Sequence, residues 1–124
     1  MLPTLSSLFL SLSIALGAIG THLLQGILTT KQLQTFETAT FYLLIQSIAI
    51  LALSLIQPFT RSFLRQCLWV SFIGVLIFSS SLYLYLLTNL IFWVKVTPIG
   101  GFSMILSWTA IGIHLLKNKN KNSA

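Results

Sequence analysis

Acid is almost missing from this chain. Of 124 residues one, Glu37, has a carboxylate side chain, and charged residues of both signs make up only 6%. A soluble domain carries about 25% charged residues. With 56% hydrophobic residues, this chain has too little polar surface to cover a core in water, so its solvent is lipid. By length it is one domain. Cysteine is nearly missing too. Cys67 stands alone, which excludes an intrachain disulfide, and a metal site would have to rest on His22, His114 and Glu37. Cys67 reads as a small apolar residue at a helix start. The serine run at 79–81 has no GxSxG context, and no second acid is present for a triad, which argues against hydrolysis. The chain is therefore expected to be no enzyme and to hold no cofactor.

The formal charge of +6 does not point to nucleic acid. Lys117, Lys119 and Lys121 lie in the tail "KNKNKNSA", and Arg61 and Arg65 lie in one short loop. Basic residues beside apolar spans are the usual topology signal. The expected partners are the lipid bilayer and, within it, a larger membrane complex or further copies of the chain.

What is present is long apolar stretches. Windows at 5–24, 36–56, 68–88 and 98–116 are each roughly 20 residues long, enough to cross a hydrocarbon core of roughly 30 Å at about 1.5 Å per residue. Backbone groups in lipid must be paired internally, and the alternation of a β-barrel is absent, so the windows read as helices. The expected fold is all-α: an integral membrane four-helix transmembrane bundle over 1–116, with helices at 5–24, 30–57, 67–88 and 98–116, and a basic polar tail at 117–124. Thr29 and Gln32 have capping-box spacing and start the second helix near Thr30. Pro58 stops it. Thr97 and Pro98 read as N-cap and first residue of the fourth helix. The first window has small residues near Ala18 but no basic segment before its apolar stretch, so it is expected to be retained as a helix, not cleaved as a signal peptide. Four spans put Arg61, Arg65 and the three tail lysines on one side and Lys31 and Lys95 on the other. The positive-inside rule then makes both termini cytoplasmic in an inner (plasma) membrane.

Depth along the helices collects the polar residues. His22 lies about a turn before the first loop and Glu37 about two turns after it. Tyr83 and Ser103 reach the same level from the other two helices. A candidate buried polar layer is therefore His22, Glu37, Tyr83 and Ser103, with His22 the expected partner of Glu37, because a carboxylate in lipid is costly unless paired or wetted. This layer serves either helix register or proton or cation movement, or Glu37 simply reaches interfacial water. Gly17, Gly20 and Thr21 give the first helix small-residue spacing for close packing, and Gly100 and Gly101 do the same in the fourth. The serine run is expected to bond back to its own turn or across to a neighbour. Trp69 and Trp93 fit interfacial belts, and Trp108, deeper, reads as packing.

"GAIGTH", "LTTKQLQTFETA", "FSSSLYL" and "TPIGG" occur in this order, and together they resemble the YgdD family of small four-helix membrane proteins. The resemblance runs from about Gly17 to Trp108. Gly17, Gly20, His22 and Tyr42 match the family pattern. Ile19, Thr21, Phe41, Leu43, Gln46 and Ser80 depart from it, and Phe41 and Gln46 stand where the family has Arg and His. The resemblance implies a multi-pass inner-membrane protein and supplies no activity. The expected function is a non-enzymatic accessory or assembly component packing in the bilayer. The alternative is a small transporter or proton-coupled channel using Glu37.

Overall fold

The computed structural model describes residues 1–56 and 62–123, with only the backbone described at 62 and 118–123. The expected stop at Pro58, the position of Arg61 and the last residue lie outside the described residues, as do the side chains of Lys119 and Lys121. Four helices follow one another: α1 (Leu2–His22), α2 (Thr30–Ile56), α3 (Ser62–Thr88) and α4 (Ile91–Ser123). All four are long and apolar enough to cross a membrane. At about 1.5 Å per residue, the 27 residues of α2 or α3 reach roughly 40 Å, which exceeds a roughly 30 Å hydrocarbon core by about a turn at each end. The fold is an all-α, integral membrane four-helix bundle.

Chain order is also spatial order. α1 packs on α2, α2 on α3 and α3 on α4, and α1 reaches α3 through the edge-to-face pair of Phe9 and Phe72, 5.4 Å apart. One core cluster joins Leu2, Ile50, Leu64, Leu68, Phe72 and Ile111, with Cys67 buried among them. The other, Leu43, Val75 and Met104, lies further toward the two described turns. Cys67 thus packs as a small apolar residue, but in the second turn of α3 and not at its start, because α3 begins at Ser62, five residues before the expected start at 67.

The turns follow local chemistry. Thr29 and Gln32 form a reciprocal capping box: the Thr29 N–H donates to Gln32 Oε1 at 3.0 Å, and the Gln32 N–H donates to Thr29 Oγ1 at 3.2 Å. These bonds satisfy N–H groups that the first turn of α2 leaves open. Between α3 and α4 the chain reverses at Asn89, whose φ of 58° is left-handed. Its N–H donates to the Tyr85 carbonyl at 2.8 Å, an αL helix end that Asn tolerates better than most residues.

This turn corrects the expected start of the fourth helix. α4 begins at Ile91, and Pro98 lies inside it. Thr97 does not cap it; its hydroxyl bonds back to the Trp93 carbonyl at 3.0 Å. Proline fits a first turn, but it also survives inside a membrane helix where neighbouring groups take up the freed backbone. At the other end, helix continues through the expected tail to Ser123.

Candidate functional site

The expected layer separates into different pairings. Tyr83 turns into the bundle and shares a 2.6 Å hydrogen bond with Thr40, with Phe36 tilted against its ring at 5.4 Å. Ser103 donates to the Ile99 carbonyl of its own helix at 2.9 Å. His22 and Glu37 are both exposed on the outside of the bundle, and among the described residues neither side chain makes a hydrogen bond or ion pair. The four residues therefore do not form one buried layer, and His22 does not hold Glu37 within the chain. The reason is azimuth. Each helical residue turns about 100° from the last. Phe36 and Thr40 face inward, so Glu37 is carried round to the outer wall, and His22 lies about 200° past the inward-facing Gly20.

Glu37 lines a groove of about 300 Å³ between α1 and α2, with Gly17, Thr21, Thr40, Phe41 and Leu44. Beneath it Gly17 lies against Thr40 and Gly20 against Phe36, and further small residues are buried on both helices: Ser6 and Ser13 of α1 and Ala39, Ser47 and Ser54 of α2. Such residues let helix backbones approach closely in lipid. The two α1 glycines expected to pack are not equivalent. A methyl group on Gly20 would lie 2.8 Å from the Phe36 ring, whereas on Gly17 it would meet only the Thr40 methyl at 4.0 Å. Thr21 stays exposed and bonds back to the Gly17 carbonyl at 3.0 Å. Gly20→Ala should therefore destabilise by about 1 kcal/mol, since the Phe36 ring can yield, and Gly17→Ala should be neutral. Melting of the purified variants in mild detergent compares them; equal effects would place the close approach elsewhere.

The tightest crossing lies between α3 and α4. A methyl group on Gly100 would sit 2.5 Å from the Gly74 carbonyl oxygen and 2.6 Å from the Phe78 nitrogen. Gly101, the other expected packing glycine, has only the Phe78 ring at 3.8 Å. Gly74 was not among the candidates: Ser71 is a small neighbour three residues before it, but that the Gly100 backbone lies opposite depends on how α3 and α4 cross.

Polar bonds stitch the helices at several depths. Gln46 Oε1 accepts from Ser71 Oγ and from Trp108 Nε1, each at 2.8 Å, so α2, α3 and α4 meet at one oxygen. An indole N–H can only donate, which fixes that atom of Gln46 as the oxygen. Ser79 donates to the Ala39 carbonyl at 2.8 Å. Ser81 bonds Thr97 at 2.6 Å as well as the Phe78 carbonyl. The serine run thus bonds both across and back. Gln46 is the residue that composition undervalued, since its nearest polar neighbours in sequence, Tyr42 and Ser47, take no part in this junction. Trp108 packs as expected, with its N–H paired as well.

Comparison with known proteins agrees with this architecture. Residues 16–101 match the family described as Protein of unknown function (DUF423). The chain is 34% identical over 113 residues to a UPF0382 membrane protein of Staphylococcus epidermidis, covering 91% of this chain and 93% of the relative. It is 35% identical over 109 residues to a UPF0382 membrane protein of Haemophilus influenzae, covering 86% of each. The UPF0382 inner membrane protein YgdD of Escherichia coli is 31% identical over 111 residues, 87% of this chain and 83% of that one. No solved structure matches the chain.

Proposed function

The chain belongs to the DUF423 family, and from its packing we propose that it is a non-enzymatic accessory or assembly component of the inner membrane, built to hold a rigid helical surface beside a larger membrane protein. The observation that carries this reading is the use of inward polar side chains. Thr40, Gln46, Ser71, Ser79, Tyr83, Thr97 and Trp108 all take part in bonds between helices, the role polar residues commonly play in membrane interiors. Purification in mild detergent from native membranes, followed by mass analysis, tests it. A larger membrane protein retained in fixed ratio is the expected result. The chain recovered without a different protein, from membranes solubilised gently enough to keep known complexes whole, counts against it.

A second reading rests on one specific observation: Glu37 shares its groove with Thr21 and Thr40. A carboxylate among hydroxyls could carry a proton or cation, which makes a small transporter the alternative.

Both termini are assigned to the cytoplasm on the asymmetry of Lys and Arg across the loops. Reporter fusions after Lys31 and after Ala124 should report opposite sides. A reporter outside the cell after Ala124 would reverse the orientation.

A further inference from the structure

We propose that the outer face of the α1–α2 hairpin is the contact surface of a symmetric dimer, in which Glu37 of each copy meets His22 of the other. The proposal stands apart from the accessory reading, since such a dimer forms with or without a larger protein beside it. It begins from charge. Glu37 is the chain's one acid; it is exposed, and neither it nor His22 has a side-chain partner among the described residues. Glu37 lies seven residues into α2, roughly 10 Å along the helix. That is deeper than the turn by which α2 exceeds the hydrocarbon core, so a carboxylate facing outward there meets lipid at a cost unless a donor covers it.

Geometry then selects the donor. α1 turns Ser6, Ser13 and Gly20 inward. Ile14 and Thr21 edge the groove that Glu37 lines. Further round α1, at about 100° per residue, come Ser7, Ser11, Ala18 and His22, all exposed. Laying a second α1 in this groove, about a two-fold axis along the membrane normal, brings the two α1 helices together at Ile14 and Thr21. It also turns the visiting helix's Ala18 and His22 side toward Glu37. The short side chains at Ser7, Ser11 and Ala18 permit close approach, but the acid and the imidazole choose the partner.

Depth agrees. In the seam Gly20 meets Phe36 and Gly17 meets Thr40, so Glu37 is level with about Gly20 and His22 lies roughly 3–4 Å nearer the membrane surface. Helical side chains lean toward their own N-terminus. His22 therefore leans inward from the end of α1, and Glu37 leans outward toward the start of α2, which closes that gap. A two-fold axis along the normal keeps the levels equal in both copies and makes two identical pairs, as a self-complementary interface requires. Each is a hydrogen bond to a charged acceptor, stronger than a neutral one.

Cross-linking in native membranes tests the face. Ile14→Cys, an outward position in α1, should give disulfide-linked dimers on mild oxidation. The parent chain, with Cys67 buried, and Phe102→Cys, on the outer side of α4, should give none. Energy transfer between labelled copies, diluted stepwise in lipid vesicles, tests the pair. Glu37→Gln and His22→Ala should each weaken association about tenfold, and the double variant should be no weaker than either, because both remove the same contact. Helical content by circular dichroism confirms that each variant is folded. Monomers at every dilution, cross-links through Phe102→Cys instead of Ile14→Cys, or a loss with Glu37→Gln not matched by His22→Ala would overturn the proposal; the last would assign Glu37 to lipid headgroups or to a different protein.

Discussion

Gly100→Ala should lower the stability of the bundle by about 3 kcal/mol, the upper end of what overpacking costs. The added methyl would meet backbone atoms of α3, the Gly74 carbonyl oxygen and the Phe78 nitrogen. Backbone cannot rotate away as a side chain can, so α3 and α4 must separate, and the contacts around Met104 and Val75 loosen with them. Gly74→Ala should also destabilise, because its methyl would lie 3.0 Å from the Gly100 carbonyl oxygen. Gly101→Ala should stay within about 0.5 kcal/mol, as for ordinary surface changes. Melting in mild detergent separates the three. A Gly100→Ala variant as stable as the parent would show that the helices do not cross at these glycines.

This contrast marks what could be read from sequence. The spans were legible because lipid as solvent leaves its mark on composition, and the start of α2 was legible because Thr29 and Gln32 carry a two-sided capping signal. The start of α4 was not, because Pro98 suits a first turn and the real reversal hangs on the backbone of one residue, Asn89. Of the packing glycines, sequence pointed to Gly20 and Gly100 but could not rank them above Gly17 and Gly101, since rank depends on which atoms lie opposite. Gly74 was invisible for the same reason. The polar layer was half legible. Depth follows from counting residues, but the direction of a side chain depends on which neighbour each helix faces, and that moved Glu37 and His22 to the outside.

Gln46→Leu should destabilise the bundle by about 1–3 kcal/mol, the cost of leaving a buried polar group without its partner. Removing the oxygen strands two donors, but not equally. Ser71 can turn back to a carbonyl of its own helix, whereas the Trp108 N–H donates in one direction only. Trp108→Phe in the Gln46→Leu background should therefore recover part of the loss, while Ser71→Ala in that background should recover little. On the parent chain, Ser71→Ala alone should cost about 0.6 kcal/mol, the average for a polar contact between membrane helices, since Gln46 keeps its bond to Trp108. Strictly additive losses for Gln46→Leu and Trp108→Phe would mean that the two side chains do not meet.

On the proposed reading, the bonded polar side chains of this chain hold helices together and carry no protons or cations through the membrane. Proton flux into sealed lipid vesicles containing the purified protein tests it most directly, with the parent chain, Glu37→Gln and empty vesicles measured side by side under an imposed pH difference. The same slow leak is expected in all three; flux through the parent chain that falls to the empty-vesicle level in Glu37→Gln would make the chain a proton carrier and overturn the reading.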